Sequence, residues 1–156
     1  MSSEDAPTSA QLAELADVVT ELAHQLDTRS PELRDVVPLT GTEIAVIRQI
    51  HRHPRSTPSQ IADATGLRRS NVSTAIRALE AGGLVVRDQL EGNARSVALV
   101  PTAQASTSVA RINAYWTTLL REVPDDVLAE AVNATPVLAA IAEAIRRRSE
   151  GASGPG

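Results

Sequence analysis

The sequence predicts a mainly α-helical protein with a small β-wing, in which a winged helix-turn-helix is flanked by N- and C-terminal dimerisation helices. Three observations support this fold class. Residues 57–95 have the pattern of a short helix, a tight turn, a second helix and a two-stranded hairpin. In the helices before and after this stretch, apolar residues recur at alternating intervals of three and four, as in the seam between paired helices. The length of 156 residues suits one domain with such helices appended.

The chain is predicted to have five parts. The first and last are small, polar segments that cannot bury enough apolar surface to fold, so they are expected to be disordered. The parts are a disordered N-terminus at 1–8, an N-terminal dimerisation helix and a short helix at 9–37, the winged helix-turn-helix at 38–100, C-terminal dimerisation helices at 101–148, and a disordered tail at 149–156.

The first helix is predicted from Ser9 or Ala10 to about Thr28. Its large apolar residues follow a 3, 4, 3, 4 spacing over two heptads, which places them in one stripe suited to a partner helix. The segment Asp27–Pro31 is expected to break this helix, and Pro31–Val37 to form a short helical turn. The stripe consists of Leu12, Leu15, Val19, Leu22 and Leu26.

Two capping boxes predict where the next helices begin. The first, Thr40–Glu43, starts a helix that runs to about His51. The second, Thr57–Gln60, starts a shorter helix, and Pro58 suits its first position. Gly66 is expected to end that helix, because glycine enters the left-handed conformation at little cost. The residues expected to face inward from the earlier helix are Ile44, Ile47 and Ile50.

The helix predicted from about Arg69 to Ala81, before Gly82–Gly83, has two contrasting faces. One is apolar at i, i+3, i+4, i+7 spacing and is expected to face the core. The other is polar, rich in hydrogen-bond donors and free of carboxylates, which suits a DNA groove. An ordinary solvated face is the alternative, although it would be expected to carry Glu and Lys, and this helix alone leaves both open. The inward residues are Val72, Ala75, Ile76 and Leu79, and the outward ones are Ser70, Ser73, Thr74 and Arg77.

A predicted β-hairpin follows and favours the groove interpretation. Its strands, Leu84–Arg87 and Ser96–Val100, are joined by a tip at Glu91–Ala94. Arg87 near the base and Arg95 just past the tip place two cations around the loop, and arginine is favoured along the DNA backbone and in the minor groove. The segment around Ser56 is expected to add a short strand that pairs with this wing.

Two further helices are predicted after the wing. One runs from Pro101–Thr102 to about Glu122, and the other restarts at Val123–Asp126 and ends near Arg148. Pro136 lies inside the last helix and is expected to kink or break it, because proline has no N–H to donate. The apolar positions are Val109, Ile112, Trp116 and Leu119 in one helix, and Leu128, Val132, Leu138, Ile141 and Ile145 in the other.

Several short motifs stand at set positions along these elements. They are Leu39–Thr40, Ile61–Leu67, Ser70–Ser73, Leu79–Glu80, Gly83–Arg87, Arg95 and Pro101–Thr102. With this spacing, the chain closely resembles the MarR family of bacterial transcriptional regulators over roughly residues 10–148. Two positions depart from the family pattern. Asn93 stands where the family usually has an Asp that pairs with the wing arginine, and Arg68 replaces the usual small residue that caps the recognition helix.

Composition restricts the setting of the protein. Zero cysteines exclude disulfides, thiolate metal sites and a cysteine redox switch. The acidic N-terminus has no apolar h-region, and no apolar run approaches the ~18 residues of a membrane span. We therefore expect a soluble cytoplasmic protein without membrane contact.

The charge is unevenly distributed. The net charge is −4, but residues 48–95 contain eight arginines and four acids, a local charge of +4, which leaves −8 for the remainder. Because the local field steers binding more than the net charge does, this segment suits DNA. The chain has no lysine, so every cationic contact must come from arginine.

Enzymatic chemistry is not indicated. The sequence has no nucleophile elbow, no P-loop and no glycine-rich dinucleotide motif, and we expect no catalytic residue, no cofactor and no metal. His51 and His53 are two residues apart, which places them on different faces of a helix, so a metal site there is disfavoured.

These observations predict a sequence-specific DNA-binding regulator, expected to be a repressor, that binds a pseudo-palindromic operator as a homodimer. The resemblance also implies a small-molecule effector in a cleft between the dimerisation helices and the winged segment. A winged helix that serves as a protein–protein module, or as a non-specific structural DNA binder, is the alternative. The candidate DNA-binding residues are Ser59, Arg68, Arg69, Ser70, Asn71, Ser73, Thr74, Arg77, Arg87 and Arg95, and the candidate ligand-binding residues are His24, Arg111, Tyr115 and Trp116.

Overall fold

The structure, a computed structural model, describes residues 6–26, 31–89 and 97–152. This part of the chain contains seven α-helices and one two-stranded antiparallel sheet, which confirms the predicted fold class. The helices are α1 (Ser9–Gln25), α2 (Pro31–Val36), α3 (Gly41–Arg52), α4 (Pro58–Thr65), α5 (Arg69–Ala81), α6 (Ala103–Leu120) and α7 (Asp125–Ala152), and the strands are β1 (Val85–Gln89) and β2 (Val97–Pro101).

The main hydrophobic core lies between α3, α4, α5, the sheet and the start of α6. We call α3 to β2, residues 41–101, the winged unit. Branched aliphatic side chains fill this core, as the near absence of aromatic residues requires. The predicted inward residues of α3 are all buried, and Val46 joins them. A smaller cluster holds α2 and α6 against α3 through Leu33, Val37, Ile44 and Ile112.

The predicted starts of α3 and α4 and the predicted end of α4 are confirmed. Thr40 and Glu43 form a reciprocal capping box, in which the Thr40 backbone N–H donates to Glu43 Oε2 at 2.8 Å. The Thr57–Gln60 box is likewise complete, and Gly66 follows α4 with a φ of 67°. A third box, Thr8–Gln11, starts α1 and was missed, although the same sequence signature marks it. Thr8, in the segment 1–8 that was predicted to be disordered, is thus the N-cap of α1.

The wing pairs Val85–Gln89 with Val97–Pro101 in an antiparallel register. The predicted extra strand is present as a bridge between Ser56 and Leu99. The Arg55 backbone N–H donates to the Leu99 carbonyl at 2.9 Å, and the Leu99 N–H donates to the Ser56 carbonyl at 3.0 Å. The wing tip, with Asn93 and Arg95, lies outside the described residues.

Helix α6 contributes more side chains to the core than the sequence predicted. Val109 and Ile112, two positions of its predicted dimerisation seam, are buried inside the chain against the winged unit and α2. At its start, Thr102 caps the helix, and its hydroxyl donates to the Gly83 carbonyl at 2.8 Å. This bond attaches α6 to the turn between α5 and β1, where Gly83 adopts a φ of 70°.

Helices α1 and α7, which we call the terminal helices, contrast with that core. No described residue in either is buried, and both expose large apolar side chains. We expected Pro136 to kink or break helix α7, and the helix is not broken there. Proline removes one hydrogen bond, to the carbonyl of Val132, and that residue is 62% exposed, so water can hydrate the carbonyl.

Helix α7 also differs from the prediction in length and hydropathy. It continues to Ala152, beyond the predicted end at Arg148, because no helix breaker lies between Arg148 and Gly151. Within Asp125–Arg148, an 18-residue window has a mean hydropathy of 1.4, so by length and composition alone this helix could cross a membrane. The sequence reading did not anticipate this, because abundant alanine raises the mean without any long uninterrupted apolar run.

Candidate nucleic-acid interface

Helix α5 has one face locked into the core and one face open to solvent. Its inward residues are 0–4% exposed, so packing fixes the rotation of the helix about its axis. The outward face is therefore presented in one orientation. The outward residues predicted to contact DNA, all exposed, are Ser70, Asn71, Ser73, Thr74 and Arg77.

The start of α5 carries two exposed arginines. Arg68 is the N-cap, with extended backbone, and its side chain makes no capping hydrogen bond, in keeping with its departure from the usual capping residues. Arg69 follows as the first helical residue. Further along, Arg77 Nη2 donates to Thr74 Oγ1 at 3.3 Å, which directs the guanidinium back along the outward face.

A groove of about 320 Å³ lies beside this face, between α5 and the start of α3. Asn71 and Thr74 line it from α5, and Thr40, Thr42 and Glu43 line it from α3. Thr40 and Thr42 were not among the predicted DNA contacts. Their position at the start of the helix that precedes the helix-turn-helix was the signal that could have identified them. Ser59, a predicted phosphate contact, is exposed in the first turn of α4.

Arg87 is held by the last turn of α5. Its Nε donates to Glu80 Oε1 at 2.6 Å and its Nη2 donates to Glu80 Oε2 at 3.0 Å. These hydrogen bonds to the carboxylate raise the pKa of Arg87 above its ordinary value. Sequence reasoning predicted Arg87 as a wing cation but did not identify Glu80 as its partner.

A second ion pair lies across the wing base, between Arg55 and Asp88. Arg55 has a φ of 70°, a left-handed conformation that is uncommon for a residue with a side chain. Ser56 pairs with β2 and β2 pairs with β1, so this ion pair links the outer segments of the sheet. Sequence reasoning missed it, because it depends on how three separate segments come together.

The two ion pairs change how the local positive charge is distributed. Glu80 and Asp88 are two of the four acids in residues 48–95, and each is paired with an arginine. Arg68, Arg69 and Arg77 make no ion pair with any residue that the structure describes. Arg48 and Arg52 of α3 likewise make no ion pair with a described residue, so three of the five unpaired arginines described in the winged unit lie on α5 or at its N-cap.

Of the predicted ligand-binding residues, Arg111, Tyr115 and Trp116 lie on α6 and His24 lies on α1. Arg111 and His24 are exposed on α6 and α1, and Tyr115 packs against the smaller core cluster. Trp116 alone lines a cleft of about 300 Å³, where Arg48 and Arg52 of α3 are also lining residues. The predicted set was chosen by residue type, and it missed these arginines of α3.

Arg48 and Trp116 are the central contact of this cleft. The Arg48 guanidinium carbon lies 4.3 Å from the centre of the Trp116 ring, and Arg48 Nη1 donates to Asn113 Oδ1. Burial, and next the charge of Arg52, lower the pKa of Arg48 below its ordinary value. The indole N–H of Trp116 is buried and makes no hydrogen bond with any described residue.

No group of three or more His, Asp or Glu side chains within residues 6–26, 31–89 and 97–152 could hold a metal ion. His53 is exposed and lines an open cleft of about 490 Å³ with Arg55 and Arg146.

Comparison with known proteins agrees with this geometry. The MarR family profile matches residues 37–96, which include the winged unit up to the wing tip. No curated protein matches the chain. Among solved structures, a MarR family protein from Bacillus stearothermophilus superposes with a TM-score of 0.71 at 16% identity, covering 88% of this chain and 99% of that one.

Two other solved structures extend the comparison. A putative transcriptional regulator from Pseudomonas aeruginosa PA01 is 25% identical with a TM-score of 0.63, over 88% of this chain and 98% of that one. FabT from Streptococcus pneumoniae, solved in complex with DNA, has a TM-score of 0.62 at 18% identity, over 85% of this chain and 95% of that one. Over residues 37–96 the chain thus matches the model of the MarR family, and over most of its length it shares the fold of these solved structures.

Proposed function

We propose that the protein regulates transcription in the cytoplasm by binding a pseudo-palindromic DNA operator as a homodimer, and that it acts as a repressor. The observation that carries this proposal is the outward face of α5. That face is exposed, polar and free of carboxylates, and Arg69 and Arg77 of this helix, with Arg68 at its N-cap, make no ion pair with a described residue.

The proposed contacts follow from this geometry. Hydroxyl and amide groups can read base edges in the major groove, and arginine pairs well with guanine. We assign Arg77 to a guanine edge, because it lies on the outward face and its guanidinium makes no ion pair with a described residue. Phosphate contacts fall to Ser59, Arg68 and Arg69, and wing contacts to Arg87 and Arg95. The remaining groove contacts are Ser70, Asn71, Ser73 and Thr74.

The homodimer is proposed from the terminal helices. Leu12, Leu15 and Leu22 of α1, and Leu138 and Ile145 of α7, are between 42% and 63% exposed. Monomeric soluble proteins rarely expose contiguous apolar patches of this kind, which usually mark an interface. A two-fold dimer would place two α5 helices in successive major grooves about 34–36 Å apart. The same apolar surface accounts for the hydropathy of α7 without a membrane.

An effector is proposed for the cleft beside Arg48. Arginine and an indole N–H are donors suited to a carboxylate or another small anion, and Trp116 offers an aromatic surface. The cleft lies between α3 of the winged unit and α6, which leads to the terminal helix α7. A ligand bound there would favour one relative position of the two parts, and this would change the distance between the α5 helices of a dimer.

The test is a binding titration of the protein with the upstream region of its own gene and with random duplex of equal length, over a salt series. A specific regulator should bind the upstream region about 10³-fold or more tightly than random duplex. Affinity without a specificity ratio would indicate a structural DNA binder, and no salt-dependent affinity would indicate a protein–protein module. The mass of the complex should correspond to two chains on one operator.

A further inference from the structure

The wing of this chain is held at its base by two ion pairs on the same strand. In β1, Arg87 and Asp88 are adjacent, so their side chains leave opposite faces of the sheet. Arg87 pairs with Glu80 at the end of α5, and Asp88 pairs with Arg55 in the segment that bridges to β2. One pair thus attaches the wing to the recognition helix, and the other attaches it to the rest of the winged unit.

We propose that Glu80 and Asp88 are positioning residues for DNA binding, which hold the wing at the angle to α5 that its contacts with DNA require. The proposal rests on the proposed function, because it requires that the wing touches DNA. It also gives a role to two carboxylates that lie in the most basic segment of the chain, where they would otherwise only repel phosphate.

The geometry of the Glu80 pair supports this role. The two hydrogen bonds use Nε and Nη2 of Arg87, so the planar guanidinium is oriented by two contacts and not by one. Nη1 lies in the same plane, outside the edge that faces Glu80. Glu80 therefore directs a donor of Arg87 outward while it fixes the strand that carries it. The pair spans the Gly82–Gly83 turn, which by itself would let the hairpin pivot.

The Asp88 pair acts from the other face. Arg55 is anchored through its backbone N–H to Leu99, and its side chain reaches Asp88 on β1, past the intervening β2. The residue opposite Asp88 on β2 is Ala98, whose small side chain leaves room for this reach. The two pairs therefore restrain rotation of the hairpin in opposite directions.

A purely electrostatic role of the carboxylates and a positioning role predict opposite changes in DNA affinity for the same substitutions. Removal of a carboxylate near phosphate should tighten DNA binding if charge alone matters. Under our proposal, Glu80→Gln and Asp88→Asn each weaken binding, by up to about fivefold, the range expected for the loss of one exposed ion pair. Asp63→Asn is the control, because Asp63 is an exposed acid of α4 whose carboxylate pairs with no described residue.

The experiment measures the affinity of wild type and the three variants for the full operator and for a duplex shortened at its ends, where the wing would lie. Glu80→Gln and Asp88→Asn should weaken binding to the full operator and leave binding to the shortened duplex at the wild-type level. Asp63→Asn should bind both duplexes as wild type does or more tightly. Higher salt should reduce the losses, because it screens exposed pairs.

Two results would overturn the proposal. Binding of Glu80→Gln and Asp88→Asn that equals or exceeds wild type would mean that these carboxylates act only as charges. Equal losses on both duplexes, with a lower melting temperature, would mean that the pairs only stabilise the fold. Wild-type protein that binds no duplex would refute the proposed function and the positioning role together, and that result is seen before any variant is compared.

Discussion

The apolar faces of the winged unit and of the terminal helices are made of the same residue types, Ala, Leu, Ile and Val. The winged unit buries these side chains, whereas the terminal helices leave them exposed. In the winged unit, Ile47, Ile61 and Leu79 are 0% exposed. In the terminal helices, no described residue is buried, and side chains such as Val132 and Ile145 are more than 60% exposed. Both regions are helical and both have apolar faces at helical spacing, so the difference lies in what covers those faces.

This difference separates two sources of stability. Burial of a large aliphatic side chain contributes about 1.5–3 kcal/mol, so the winged unit is stabilised by contacts within its own chain. The terminal helices lack that contribution in a single chain, and isolated helices are marginal in water. The winged unit should therefore keep its fold in a monomer, whereas the terminal helices should depend on a second copy.

The largest expected effect is on the core of the winged unit. Ile47→Ala should lower the free energy of unfolding by about 2–5 kcal/mol, because it leaves a cavity in a fully packed site. Chemical denaturation measures this. Val86→Ala, a half-exposed position on β1, is the control and should cost less than about 1 kcal/mol. Similar losses in the two variants would contradict the distinction between a packed unit and exposed faces.

The next effect tests the terminal helices. Leu138→Glu should weaken the homodimer by about 2–4 kcal/mol, because a two-fold interface contains each substitution twice. Sedimentation at several concentrations measures the shift to monomer. Ala140→Glu lies ~160° around the same helix and should leave the dimer intact. A Leu138→Glu variant that stays dimeric would place the interface elsewhere.

A smaller effect is expected at the proposed DNA contact of the winged unit. Arg77→Ala should lower operator affinity by about 1–3 kcal/mol and relax specificity at one base pair, because a guanine contact is lost. Binding to operators with each base pair changed in turn measures this. Loss that is uniform across all sequences would instead make Arg77 a phosphate contact. Stability and dimerisation should not change, because Arg77 is exposed.

The smallest effect concerns the wing tip. Arg95→Ala should reduce the slope of log affinity against log salt by about one unit, which corresponds to the loss of one phosphate contact. Titrations at four or more salt concentrations measure the slope. An unchanged slope would remove Arg95 from the contacts with DNA and would leave α5 as the main binding element.

Local rules predicted much of the fold because they act over a few residues. Capping by Thr40 and Thr57 depends on the fourth residue of each box, and the helix predicted from Arg69 to Ala81 was found at those bounds. The ion pairs of Arg55 and Arg87 could not be predicted in this way. They depend on where β1 comes to lie relative to α5 and to the bridging segment at Ser56.

The prediction of apolar seams was limited in the same way. Spacing predicted a seam on α1, α6 and α7, but periodicity identifies an apolar face without identifying what covers it. In α6 the chain itself covers Val109 and Ile112, whereas α1 and α7 remain open. The candidate ligand residues did not include Arg48 for a related reason. They were chosen by residue type, and only the packing of α3 against α6 brings Arg48 to Trp116.

The sequence by itself determined the order of the elements, the two faces of α5 and the basic character of residues 48–95, because these follow from neighbouring residues and from charge. Only the tertiary structure decided which arginines are available. Arg55 and Arg87 are paired with carboxylates and Arg48 lies over an indole ring, while Arg68, Arg69 and Arg77 have no ion pair within the described residues. Charge pairing depends on distances across the fold, which spacing along the chain does not specify.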